Sequence, residues 1–220
     1  NAVKRVYAST FSQGAKRYLK STPYRLEEEK MPVIIQKLVG AVHEDRFYPD
    51  FSGVARSHNF YPIQPMEASD GIASVALGLG KQVVEGGATV RFCPRYPRHT
   101  VEMSQVDEVL RHSQKNYYCL KLPDPEASRE TRRYFKLMQA PLSDAERDGT
   151  LAAVGSTYSR DNHAIYDGIS RDGARVVTFS PILKSDLFPL AVVLTRLLDF
   201  GTSGMSGPVE IEFAVTLSRD

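Results

Sequence analysis

The sequence has no tryptophan, and its 220 residues hold only two cysteines. Cys93 and Cys119 sit among unlike neighbours, and no His/Cys cluster has the spacing of a zinc site. Both are expected to be free thiols in a reducing compartment, the cytoplasm. Long apolar runs are missing too. The longest, from Leu187 to Phe200, is broken by Pro189, Thr195 and Arg196, against the ~20 apolar residues that cross a bilayer. No membrane partner is expected, and the opening residues lack a secretory pattern. An excess of one charge is also absent. Lys and Arg number 28 against 26 Asp and Glu, a net charge of +2, so no global field draws nucleic acid to the chain. The spacings of the nucleophile elbow, the dinucleotide fingerprint and the phosphate-binding P-loop do not occur. His58 and His163 are isolated and read as hydrogen-bonded structural residues. These absences leave little support for covalent catalysis by the chain alone.

What the chain does contain is concentrated at its end. Val209, Ile211, Phe213, Val215 and Leu217 alternate with Glu210, Glu212, Ala214 and Thr216. A period of two marks a half-buried strand. Glu210 and Glu212 then share the polar face, roughly 6.5–7 Å apart along the strand. Two like charges at that distance repel unless a cation lies beside them, and Glu is disfavoured in strands. The pair suits a hard cation, most simply magnesium held with a nucleotide phosphate. The same pattern also fits a solvated sheet face with two ordinary acids.

Along the rest of the chain, residues 2–21 have apolar positions at three-to-four spacing and predict helix, broken near Gly14. Residues 31–40 (MPVIIQKLVG) predict a strand, 43–50 a polar aromatic loop, and 51–59 (FSGVARSHN) a second strand in a hairpin relation to the first. In 71–87 a strand runs into Gly78, Gly80, Gly86 and Gly87. Such glycines permit close backbone approach to a ligand, and equally plain tight turns. The basic, aromatic stretch 91–99 suits an exposed loop, or a grip on phosphate or single-stranded nucleic acid. Helix is predicted at 106–114, near 128–138 and at 187–199, the last capped by Ser185 or Asp186 and stopped at Gly201. Strands are predicted at 116–122, 151–158 and 174–180. The irregular order of strands and helices makes the class α+β, mainly antiparallel sheet with flanking helices.

Four stretches in order, MPVIIQKLVG, FSGVARSHN, VALGLGKQVVEGG and PVEIEFAV, together with the opening VKRVYASTFSQGAKRYL, resemble the ATP-grasp nucleotide-binding region of the phosphoenolpyruvate synthase and pyruvate phosphate dikinase family. The resemblance spans most of the chain and is weakest over about 95–150. It implies ATP and magnesium as ligands and phosphoryl transfer to a histidine on a separate swivelling domain. It assigns Gln36, Lys37 and Leu38 to the adenine, Arg56 and Ser57 to the nucleotide, and the glycine-rich segment to ribose and phosphates. Glu212 becomes the magnesium-side carboxylate, with Glu210 its partner. Two positions depart from the family. Lys81 stands where an acid is usual, which favours phosphate over a ribose hydroxyl, and Arg56 stands where an apolar residue is usual. The family's N-terminal subdomain, its glutamine-and-arginine strand, and its phosphohistidine and pyruvate domains have no counterpart in the 220 residues. The whole chain, 1–220, is therefore expected to be a partial ATP-grasp domain, inactive alone. The competing expectation is a nucleotide-sensing or interaction module that kept the scaffold and lost the chemistry.

Overall fold

The computed structural model describes residues 2–23, 30–100, 105–124 and 135–218. These fall into two units, one ending at Leu38 and the other beginning at Val39. The first unit contains helices α1 (Ala2–Ser9) and α2 (Gln13–Lys20). The break lies at 10–12, before Gly14, because the Ser12 hydroxyl accepts from the Ala15 amide and caps α2. No residue of either helix is buried, and Val6, Tyr7 and Tyr18 stand exposed.

The strand expected at 31–40 does not form. Residues 30–40 carry no regular structure, Ile34 and Ile35 are 81% and 85% exposed, and no described strand pairs with them. A β-branched run makes a strand only where a neighbour supplies the ladder and a surface to pack on.

The second unit opens with β1 (Ala41–His43) and β2 (Arg46–Tyr48), a hairpin where a loop was expected. Then come β3 (Phe51–Arg56), β4 (Ile72–Leu77), α3 (Lys81–Val84), β5 (Val90–Phe92), α4 (Val106–His112), β6 (Asn116–Lys121) and β7 (Lys136–Pro141). Most of the helix expected near 128–138 lies outside the described residues, and its last three positions belong to β7. The chain continues through α5 (Leu142–Arg147), a 3-10 turn at Thr150–Ala153, β8 (Gly155–Ser159), β9 (Ala164–Asp167), β10 (Ala174–Val177), α6 (Ser180–Leu183), α7 (Leu190–Met205) and β11 (Glu210–Val215). The strand expected at 151–158 is thus divided between the 3-10 turn and β8.

Helix α7 is longer than its pattern implied. Its cap position is Pro189, without a side-chain cap. Gly201 lies within the helix because a Cβ there would come within 3.0 Å of Val209 Cγ2. The glycine serves close packing, and the helix ends at Ser206 in the left-handed region, φ 53°.

Three antiparallel sheets result, ordered β1-β2-β6-β7, β10-β8-β9 and β11-β3-β4-β5. The partners of β3 are β11 and β4, so the hairpin expected between it and residues 31–40 does not form. One face of the third sheet carries Phe51, Ala55, Val75, Leu77, Val90 and Phe92, all buried. Leu190, Leu194 and Leu198, at i, i+4 and i+8 of α7, join the same core. Gly53 is required on this face: a side chain there would meet the ring of Phe213 and the Ser74 carbonyl. Beneath the first sheet, the guanidinium of Arg46 donates to both Asp148 carboxylate oxygens at 3.1 and 3.2 Å, and Tyr48 Oη donates to Asp148 Oδ2 at 2.6 Å. Arg46, Tyr48 and the Asp148 side chain are all buried.

Candidate functional site

Period-two geometry sends every second residue of the third sheet away from the core. On β11 these are Glu210, Glu212 and Ala214, all exposed, while Ile211, Phe213 and Val215 pack inward. The closing stretch is therefore the half-buried strand its alternation predicts, at a sheet edge. Across the sheet, Glu212 stands opposite Val54, Val54 opposite Ser74, and Ser74 opposite Arg91. At one interstrand spacing per step this row measures about 14–15 Å from acid to base. The neighbouring row is Glu210, Arg56 and Ile72.

The glycine-rich turn folds over the far end of this face. Ser52 Oγ donates to the Gly78 carbonyl at 2.5 Å, and Leu79 N donates to Tyr118 O at 2.9 Å, which ties the turn to β6. Helix α3 then lies against β3 and β4, so that Val83 and Val84 close a hollow of about 160 Å³ floored by Val54, Ile72 and Ser74 and rimmed by Arg56, Glu210 and Glu212. A larger cavity of about 640 Å³ continues from it, sharing Ser74 and Val83. The first volume is below the range of pockets that enclose whole small ligands, and the second lies within it.

The charges in the hollow are unevenly matched. Arg56 Nε donates to Glu210 Oε2, so Glu210 is already neutralised by its cross-strand neighbour. Glu212 has no ion-pair partner among the described residues. Metal fit follows from this donor set. No group of three or more His, Cys, Asp or Glu side chains converges among the described residues. A zinc- or calcium-type cage is thus not built here. Magnesium differs, since it keeps several waters and takes one or two carboxylates plus substrate phosphates. Glu212, with Glu210 beside it, fits that requirement.

The other expected site residues are scattered. Gln36, Lys37 and Leu38 belong to the first unit, in its irregular, exposed segment. Ser57 is occupied structurally: its hydroxyl accepts from the Val209 amide at 2.9 Å and its own amide donates to the Val209 carbonyl at 3.0 Å, which aligns the start of β11. Lys81 opens α3, is ion-paired to Glu85, and lies 5.6 Å from the centre of the Tyr118 ring. The hydrogen bond to Glu85 holds its ammonium above the ordinary lysine pKa.

The basic stretch 91–99 does not form one continuous patch. Arg95 faces Asp70 at 3.3 Å and Asp199 at 3.9 Å, Arg98 faces Asp186 at 3.6 Å, and Arg91 alone of these lines the large cavity. Both cysteines are free, as expected, and both are buried. His163 accepts or donates at 3.1 Å with Tyr158 Oη, the structural role expected of it. Arg111 and His112 line the large cavity and were not singled out by the sequence. Their signal, a short helix with a basic last turn, is too common to point to a site. Among the described residues no helix is long and apolar enough to cross a membrane.

Comparison with known proteins gives one result of substance. The family model described as pyruvate phosphate dikinase, AMP/ATP-binding domain, matches residues 1–220. No curated protein and no solved structure matches the chain.

Proposed function

Because the chain belongs to the family of the AMP/ATP-binding domain of pyruvate phosphate dikinase, we propose that it binds a magnesium–ATP complex on the outer face of the β11-β3-β4-β5 sheet. In this reading it serves a phosphotransferase related to phosphoenolpyruvate synthase. The observation that carries the reading is the hollow under α3, where Glu210, Glu212 and Arg56 rim one polar surface.

Glu212 would hold a magnesium ion, which would supply neutralisation of phosphate charge. Glu210 fixes the Arg56 guanidinium at the rim of the same hollow, where a fixed cation is placed to meet phosphate oxygens. The turn from Gly78 to Gly80 and helix α3 limit water access from above. Lys81, tethered by Glu85 at the start of α3, is a further phosphate contact within a side chain's reach of the turn. Ser57 acts through β11: by aligning the strand at Val209 it sets the direction of both carboxylates. Gln36, Lys37 and Leu38 keep only the adenine role that the family resemblance assigns them.

Phosphoryl transfer is governed largely by positioning and electrostatics, and the residues named supply those two elements. No nucleophile stands among them. In this reading the acceptor is the one the family resemblance implies, a histidine on a separate domain.

A calorimetric titration tests the reading. Glu212→Ala is expected to weaken magnesium–ATP binding at least tenfold, while ATP without metal binds the variant and the parent alike. Equal magnesium–ATP affinity in both would remove the metal role. A second reading, a nucleotide-sensing module without turnover, is favoured by one observation: Glu210 and Lys81 are both neutralised by neighbours. It predicts magnesium–ATP binding with no phosphorylated histidine in the full-length protein.

A further inference from the structure

Helix α7 carries more apolar surface than its own chain covers. Leu190, Leu194 and Leu198 enter the core. With 3.6 residues per turn, Val193, Leu197 and Phe200 form a second stripe about a quarter turn around the same helix. They are 38%, 42% and 75% exposed. A surface helix ordinarily turns charged and polar residues outward, yet the 16 residues of α7 include only two charges, Arg196 and Asp199. Both lie beyond the second stripe, on the flank away from the core. A contiguous apolar stripe with a charged border has the anatomy of an interaction surface.

Gly204 extends the stripe by about two turns past Leu197. Gly201 is accounted for by its contact with Val209, but no described atom stands within 4 Å of the place a Cβ of Gly204 would take. A glycine inside a helix costs stability, and here no packing within the chain offsets that cost. It leaves the backbone open to close approach by a second helix.

The charges identify the occupant, because the stripe is complementary to itself. An antiparallel pairing about a two-fold axis at Leu197 sets Leu197 on its own counterpart and Val193 against Phe200 of the second copy. The same axis brings each Arg196 to the level of Asp199 of the second copy. Arg196 has no ion-pair partner among the described residues, and Asp199 faces Arg95 at 3.9 Å with its side chain 65% exposed. Two opposite-charge contacts can thus form at the rim of the pair. A partner of one charge sign would meet both signs along this border.

We infer that the outer face of α7 is a self-association surface, on which two copies of this chain pack their α7 helices antiparallel. One helix pair buries less than the ~1,600 Å² of a standard interface, so the dimer is weak and depends on concentration.

Sedimentation equilibrium of the 220-residue chain, from about 1 µM to about 1 mM, tests this. It is run without nucleotide, so its outcome does not depend on magnesium–ATP binding. A monomer–dimer equilibrium within that range is expected. Leu197→Glu sets two carboxylates together at the axis and should raise the dissociation constant at least tenfold. Arg196→Asp and Asp199→Arg each bring like charges together and should each raise it about three- to tenfold. The double exchange should return it to the parental value. Arg196 and Asp199 are exposed, so their variants keep the fold even if Leu197→Glu does not, as circular dichroism would report. A surface reserved for a different partner leaves the chain monomeric throughout. A monomer at every concentration, a dimer indifferent to Leu197→Glu, or a double exchange that fails to restore the dimer overturns the inference.

Discussion

Replacing Arg56 by valine tests the electrostatics of the hollow. Arg56 and Glu210 are cross-strand neighbours with side chains about half exposed, 54% and 49%. An ion pair at that exposure contributes about 0.2–1 kcal/mol, so the variant should stay folded and lose little stability. Its electrostatic effect is larger. Without the guanidinium, Glu210 and Glu212 stand as two unneutralised carboxylates roughly 6.5–7 Å apart. Their repulsion is about 0.6 kcal/mol at the dielectric constant of water and about 2.4 kcal/mol at an effective value of 20. A half-exposed pair lies between these limits, near ~1.4 kcal/mol, which corresponds to about a tenfold change in an equilibrium constant. A divalent cation relieves that repulsion and no longer competes with the guanidinium. Manganese, read by the loss of its free paramagnetic signal, should therefore bind Arg56→Val about tenfold more tightly than the parent when nucleotide is absent. Glu210→Gln added to Arg56→Val should return the affinity to the parental value. Magnesium–ATP affinity should move the other way, because a phosphate contact is lost. Manganese affinity unchanged or weakened in Arg56→Val would refute the view that the arginine occupies the charge of one carboxylate.

Three further outcomes follow from the fold. Asp148→Ala removes the most buried of the four carboxylates that face Arg46, and the acceptor of the Tyr48 hydroxyl. With the other three carboxylates still facing the guanidinium it should cost about 1.5–3 kcal/mol, read by urea denaturation, and Arg46→Met with Asp148→Leu should recover much of that loss. Burial pushes the Cys119 thiol up to about 11 from its ordinary 9.0. The raised value means stability fully present below pH 9 and lost as pH rises towards 11, by about 2–3 kcal/mol in total. Cys119→Ala should flatten that alkaline limb, and the parent thiol should resist maleimide at pH 8. Gly53→Ala forces a methyl group against the Phe213 ring and the Ser74 carbonyl, and should cost about 1–3 kcal/mol. Phe213→Leu should relieve the ring contact, so thermal denaturation of the pair should lie above that of Gly53→Ala alone.

The elements legible in the sequence are those whose pattern is set by burial on one side. Strand β11 was readable because Ile211, Phe213 and Val215 face one core while their alternates face outward, and a period of two records that directly. Helix α7 was readable for the same reason through Leu190, Leu194 and Leu198. Its end was not, since Gly201 looks like a stop signal and is instead a contact with Val209, a residue eight positions on. Residues 31–40 failed in the opposite way: the composition is that of a strand, but a strand needs a paired neighbour, and the local sequence does not say whether one exists. The site divides along the same line. Glu210 and Glu212 were found because one strand holds both. The pairing of Glu210 with Arg56 depends on a register between segments 154 residues apart. The grouping of Arg91 with Arg111 depends on packing between a sheet edge and a helix. Short-range periodicity carries neither kind of fact. The consequence is physical as well as predictive. A carboxylate whose partner comes from a distant strand keeps that partner only while the sheet register holds. A one-residue slip of β11 would turn Glu210 and Glu212 into the core, so the metal affinity of the hollow and the stability of the sheet should be lost together in denaturant.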